Sequence, residues 1–370
     1  MGQNWCNRLA CGVKMDQDVV LNVEMKEELT IKQRELVPPI FQVVFIMLTA
    51  VSLCAMFAYR FYFFKSRDPV VQCETISPQK FKEFGAYSNE VGVGLQIDAF
   101  ETFDIVKNDI MFAGQVWFSM TPGSISLDAL EKFYFSRGEI IFKSQPYLFV
   151  EDEKLFVIYR VRVKMSTYLN LVDFPVNNHT ICIQIDHPYV SPNELLFEPR
   201  LDNFAINGEL KPFGWILFDK RVKSGFLMRI SENVENKNTG YHPTVLFYFD
   251  IMRYGTQYAL TIFLPLILIF FVILFCFSVV ENSISFSLAV GGVTTILAYR
   301  FVIANISPQV GYFMMTDYLF LLLLAGGVIV FLTHVNDVFY KQFIGLRIKK
   351  CIIIGMHFMI NALSWYLLYW

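Results

Sequence analysis

Apolar and polar positions sort the chain into three kinds of segment. Leu36–Tyr59 runs for 24 residues without a charge, and about 20 residues of helix, rising 1.5 Å each, suffice to cross a bilayer. Comparable runs cover Tyr254–Val280, about Ser283–Ala304, Tyr318–Thr333 and Cys351–Trp370, so five hydrophobic spans are expected. Between the first two spans the pattern alternates, as in Val91-Gly92-Val93-Gly94-Leu95-Gln96-Ile97, Phe156–Val163, Thr180–Ile185 and Thr244–Phe249. These stretches are rich in β-branched and aromatic residues and are separated by Pro, Gly, Asn and Asp clusters. Period two with such punctuation predicts an antiparallel β-sandwich. Residues 1–35 are polar and mixed in charge. They read as a tail with an amphipathic stretch from Val19 to Leu36, or alternatively as a docking helix.

The expected organisation is therefore a cytoplasmic tail (1–35), an N-terminal transmembrane helix (36–64), a β-sandwich (66–252) and a four-helix transmembrane domain (253–370). Its helices are expected at about 255–280, 283–305, 312–334 and 351–370. A signal peptide has an apolar core of about 7–15 residues. The first run is longer and is followed by Tyr59, Arg60, Phe61, Tyr62, Phe63 and Phe64, an aromatic belt that fits an uncleaved anchor. The loop 334–350 carries Lys341, Arg347, Lys349 and Lys350 against Asp337, which places it in the cytoplasm. Alternation then puts residues 1–35 and the 281–283 turn inside, and the sandwich outside.

Composition agrees with this division. The chain is 55% hydrophobic and 17% charged with a mean hydropathy of +0.43, against about 45–50% and 25% for soluble domains. A net charge of −2 gives no reason to expect nucleic acid. Cys6, Cys11, Cys54, Cys73, Cys182, Cys276 and Cys351 are scattered without a CxxC and read as mostly buried free thiols. Nucleophile elbows, P-loops, HExxH and paired metal ligands are missing, and His179, His187, His242, His334 and His357 are dispersed. Neither an enzyme, a metal nor a cofactor is expected. The sequon Asn178-His179-Thr180 matters only in a eukaryotic secretory context.

The span 283–305 differs from the others. Steps of four and three give Ser287, Gly291, Thr294, Ala298, Phe301 and Asn305, one helical face that is small or polar except for Phe301. Ile284, Leu288, Val293, Ile296, Leu297, Val302 and Ile303 occupy the other faces. A small, hydroxylated stripe serves either close helix packing or a water-filled lumen. Arg300 either snorkels to the interface or pairs with a nearby acid.

Particular residues then resemble the pentameric ligand-gated (Cys-loop) channel family over about 85–370. They are Arg253-Tyr254-Gly255-Thr256-Gln257-Tyr258 leading to Pro265, Ala298-Tyr299-Arg300-Phe301 through Asn305-Ile306-Ser307-Pro308, then Gly311-Tyr312 and Asp317, with Asp173-Phe174-Pro175-Val176-Asn177 and Phe213-Gly214-Trp215 in the sandwich. The chain is most similar to prokaryotic members. Thr167 and Ile181 stand where the loop cysteines would be, Asn177 stands where the family usually has Asp, and the N-terminal span is untypical.

The resemblance implies a homopentamer in a plasma membrane, with the sandwich in the periplasm of a bacterium. Ser287, Gly291, Thr294, Ala298, Phe301 and Asn305 would line the pore, with Phe301 as gate. Glu281 and Ser283 would influence selectivity at the inner mouth, leaning to cations. A small-molecule agonist would sit between subunits against Tyr147, Tyr189, Tyr241 and Trp117 or Phe118, whose rings can hold an ammonium. Phe174, Pro175, Asn177, Arg253 and Pro308 would couple agonist to gate. Membrane lipid and permeant ions are the other expected partners. The rival reading is a non-conducting membrane sensor or adhesion protein, in which the glycines Gly291, Gly292, Gly326 and Gly327 serve helix packing.

Overall fold

The computed structural model describes residues 36–71, 73, 89–105, 107–191, 194–198, 200–207, 214–230, 239–253, 255–339 and 345–369. The expectations for the 1–35 tail, Cys6, Cys11, Phe213 and Tyr254 fall outside these residues. The chain forms two compact units: a helical one from residues up to 62, 259–307 and 313 onward, and a β-rich one from 63–258 and 308–312.

The β unit contains β1 (Asn89–Asp104), β2 (Asp109–Met120), a short α2 (Leu127–Leu130), β3 (Tyr134–Phe135), β4 (Gly138–Lys143), β5 (Tyr147–Glu151), β6 (Lys154–Met165), β7 (Asn178–Asp186), β8 (Leu195–Glu198), β9 (Phe204–Ile206), β10 (Trp215–Ile230) and β11 (Thr239–Arg253). One seven-stranded sheet runs β4-β6-β2-β1-β8, with β5 also on β6 and β9 on β1. The second, four-stranded sheet runs β10-β11-β7-β3. Pairing is antiparallel except where β8 and β9 join β1. Alternation sets the faces: on β2 the even positions from Ile110 to Met120 are buried and the odd ones are partly open. Val93, Phe112, Val116 and Tyr159 from the larger sheet join Ile183, Phe247 and Phe249 from the smaller in one contiguous core.

The helical unit contains α1 (Pro39–Tyr62), α3 (Gly255–Phe275), a 3-10 turn (Cys276–Ser278), α4 (Asn282–Ile306), α5 (Met315–Phe339) and α6 (Leu346–Tyr369). Four of these segments, within α1, α3 with its turn, α4 and α5, are long and apolar enough to cross a membrane. The chain is a multi-pass membrane protein. The fifth expected span corresponds to α6, which is not among these four; it begins before the expected 351, and its first turn carries Lys349, paired with the buried Asp337 of α5 at 3.1 Å. α4 stops at Ile306; Ser307 is extended (ψ 143°) because Pro308 disfavours helical backbone in the residue before it.

The N-terminal helix is an integral member of its unit. Its start is tied to the turn after α3: Val37 N–H donates to the Phe277 carbonyl (3.2 Å) and Ser278 Oγ–H to the Val37 carbonyl (2.7 Å). Further along, Thr49 Oγ1 bonds His357 Nδ1 (2.8 Å), Asn361 Nδ2 donates to Thr49 Oγ1 (3.3 Å), and Trp365 Nε1 donates to Ser52 Oγ (3.1 Å). These bonds make a polar seam between α1 and α6, the kind of contact that holds helices together in lipid.

The expectation of mostly buried thiols needs correction. The five described cysteines are free, but only Cys276 is buried. Cys54 and Cys351 are exposed on α1 and α6, where an apolar thiol suits lipid as well as protein.

Candidate pore face and coupling loop

Helix α4 has two faces of different character. Ser285, Ala289, Gly292, Ile296 and Ile303 are buried. Ser287, Gly291, Thr294, Ala298, Phe301 and Asn305, the expected stripe, are all exposed, Phe301 at 75%. The adjacent glycines mark the division. A Cβ on Gly292 would lie 2.2 Å from Ile273 Cγ1 of α3, whereas one on Gly291 would meet nothing within 4 Å. Gly326 and Gly327 lie in contact with neighbouring helices, the first against Met356 and Phe270 and the second against Val293. Three of the four glycines therefore serve packing and Gly291 does not. Thr294 Oγ1 donates back to the Val290 and Gly291 carbonyls (3.0 and 2.9 Å) and Thr295 Oγ1 to Gly291 (2.6 Å), so the exposed hydroxyls are satisfied within the helix.

Both ends of α4 carry charge. At its start Glu281 is the exposed N-cap residue, and Ser283 Oγ–H donates to its carboxylate at 2.7 Å, which brings the two expected selectivity residues together. At its far end Arg300 Nη1 bonds Asp317 Oδ1 at 2.5 Å, while Asp317 Oδ2 accepts the Met314 N–H at 2.9 Å. The pairing acid is thus local, on the first turn of α5.

The aromatic candidates do not converge. Phe118 is fully buried against Phe133, Tyr159 and Phe197. Adjacent residues of a strand face opposite ways, so Phe118 belongs to the core, and of that pair only Trp117 is open to the other face. Trp117 is half-buried, its indole filling the space over Gly94, where a Cβ would sit 2.0 Å away. Tyr147 and Tyr189 are exposed and Tyr241 is half-buried. Lys132 Nζ lies 5.7 Å from the Tyr189 ring centroid, beside an open hollow shared with Tyr134 and Pro188. Lys143, whose pKa burial lowers, sits over Phe133 and Tyr159 in the same way.

Burial pushes Tyr159 up to about 12 and Cys182 up to about 12, so neither supplies a nucleophile. Burial lowers His187, partly opposed by the bond from its Nε2 to the Ala129 carbonyl (2.6 Å).

The loop between β6 and β7 gathers most of the expected coupling residues. Phe174, Pro175 and Asn177 are buried, the first completely, and the Phe174–Pro175 bond is cis. The Arg253 guanidinium lies 5.3 Å from the Phe174 ring and 5.4 Å from that of Trp215, so it meets the loop through aromatic faces. Pro308 is buried, Val310 packs against the β core, and Tyr312 Oη accepts the Leu171 N–H at 3.0 Å.

The same loop depends on residues that pattern reading passed over. Asp68, His179 and Asn177 form a buried line. His179 Nδ1 bonds Asp68 Oδ2 at 3.0 Å, and its Nε2 contacts the Asn177 amide. Nothing in the spacing of Asp68 pointed to this role; the nearest signal was a histidine in a strand otherwise apolar on that face.

Neither family models nor curated proteins give a match to this chain.

Proposed function

We propose that the chain is a subunit of a homopentameric ligand-gated ion channel in a plasma membrane, passing cations through a pore lined by α4. The observation that carries this reading is the division of α4. A helix buried through Ser285, Ala289, Gly292 and Ile296 leaves the expected stripe uncovered, beside the exposed Ile284, Leu288, Leu297 and Val302. Small and hydroxylated residues free of packing contacts are available to line water. Five copies would place Ser287, Gly291, Thr294, Ala298 and Asn305 along an axis, with a ring of Phe301 closing it by dewetting. Five Glu281 carboxylates at the inner mouth would concentrate cations by focusing the local field. The two-sheet unit would serve as the outer sandwich, periplasmic in a bacterium. Trp117, Tyr147, Tyr189 and Tyr241 are the residues available to a small agonist between subunits, and the Phe174–Arg253 contact would relay its binding. Agonist binding then shifts a closed–open equilibrium by its differential affinity.

Currents across planar bilayers holding the purified protein test the reading. Unitary currents are expected, with open probability changed by Thr294→Ala and raised by Phe301→Ala. Silence of both wild type and Phe301→Ala, from protein shown to be a folded pentamer, would favour the second reading, a non-conducting membrane sensor. The packing contacts of Gly292, Gly326 and Gly327 support that alternative.

A further inference from the structure

We propose that residues 64–71 are a regulatory strap through which the N-terminal helix sets the resting state of the β6–β7 loop, with Asp68 as its positioning residue. The proposal rests on the channel reading above, which gives the loop something to gate.

A carboxylate accepts about four hydrogen bonds, and Asp68 is supplied with four donors. Its oxygens take the Asn170 N–H (2.6 Å), the Thr180 N–H (2.9 Å), the Ser66 hydroxyl (2.9 Å) and His179 Nδ1 (3.0 Å). Two of these donors are backbone groups, Asn170 within the loop and Thr180 near the start of β7, so one side chain ties the loop to the strand that follows it. Asp68 is only 8% exposed, and bonds to a buried charge are the strong ones.

Neighbouring residues repeat the attachment. Arg67 pairs with Asp173 at 3.0 Å inside the loop, Ser66 bridges Asn178 in parallel, and Tyr248 O–H donates to the Val71 carbonyl at 2.5 Å. The Phe64 ring stacks on Phe218, with centroids 5.1 Å apart. A segment that merely connected an anchor to a domain would not need this density of bonds.

The other end of the strap is equally committed. Only residues 63–65 separate Ser66 from the end of α1, and α1 is bound to α6 through Thr49 and Ser52. Three extended residues span about 10 Å at most, so the link leaves little slack between α1 and Ser66. The loop it reaches carries Phe174 under Arg253 and Leu171 bonded to Tyr312. Through that link a movement of α1 relative to α6 would bear on the loop that is proposed to couple agonist to gate.

The test uses the full-length pentamer in nanodiscs and planar bilayers. Asp68→Ala should speed amide exchange of residues 168–180 at least ten-fold and leave β2 unchanged. Placed on Phe301→Ala, it should change open probability at least three-fold, with Asp68→Asn in between because one acceptor oxygen remains. Thr49→Val with Ser52→Ala should shift open probability in the same direction, and combining it with Asp68→Ala should add little, since both act through one strap. A merely structural Asp68 would instead loosen exchange across the whole β unit and add independently to the seam variant, and either result overturns the proposal. Unchanged open probability in Asp68→Ala beside a conducting Phe301→Ala protein overturns the strap alone. A silent Phe301→Ala pentamer overturns the pore reading and the strap's role in gating together. If Asp68→Ala does not fold, Arg67→Ala carries the same expectation at smaller size.

Discussion

Phe118 and Phe301 are the same side chain in two regions that treat apolar surface in opposite ways. In the β unit, alternation sends one face of each strand into a common core and leaves charges on the other. Phe118 has no exposed surface and three aromatic neighbours. In the helical unit large apolar residues lie on both sides: Phe263, Phe270 and Leu323 are buried, while Leu260, Leu264, Leu268 and Leu332 point outward, where lipid would be as favourable as protein. Phe301 projects from α4 with three quarters of its surface open. Burial ties the first side chain to stability, while exposure leaves the second free for the gating role proposed above.

The largest expected effect is on this pair. Phe118→Ala should destabilise the protein by about 3–5 kcal/mol, read as a lower unfolding midpoint in detergent. Phe301→Ala should change stability by less than about 0.5 kcal/mol while altering current. Equal destabilisation by both would remove the contrast.

Next come the adjacent glycines. Gly292→Val must displace Ile273 and should cost about 1–3 kcal/mol, the range for overpacking, seen as lost yield and a lower midpoint. Gly291→Val should fold normally and reduce current instead.

The helix stripe was legible in the sequence because steps of four and three name a face without reference to any partner. The strand alternation was legible too, but not which of Trp117 and Phe118 lay inward; the even-numbered register from Ile110 to Met120 decides it. Aromatic ligand residues could not be singled out in a chain with 38 Phe and 18 Tyr, and Lys132 lying over Tyr189 is visible only in three dimensions. Asp68 escaped notice for another reason. Its partner His179 is 111 residues away, and a single acid in an unpatterned segment has no period to betray it.

A smaller effect separates the regions by pH. His187 lies in the β unit with its pKa below the ordinary value because of burial. The folded state therefore disfavours the proton that the unfolded state takes up below about pH 6.5. Stability from this residue is present above that value and lost as pH falls. The unfolding midpoint should drop between pH 7 and 5, and His187→Gln should flatten the dependence. A midpoint that rises on acidification would contradict the buried neutral imidazole. The smallest effect belongs to the rim: Arg162 pairs with Glu101 at 2.7 Å, both partly in solvent, and Arg162→Ala should cost less than about 1 kcal/mol, with the loss shrinking further in high salt.

The α1–α6 seam has a consequence for biosynthesis. Thr49 and His357 are 308 residues apart, and synthesis runs at about 5–20 residues per second, so the first span emerges roughly 15–60 seconds before its partner exists. Through that interval Thr49 and Ser52 sit in a helix whose matching surface has yet to be made. The first span must wait in the membrane, or at the insertion machinery, until the last helix arrives. A ribosome stalled anywhere before α6 therefore leaves behind a nascent chain whose first span still presents an unsatisfied polar edge, the kind of surface by which quality control recognises an unfinished membrane protein.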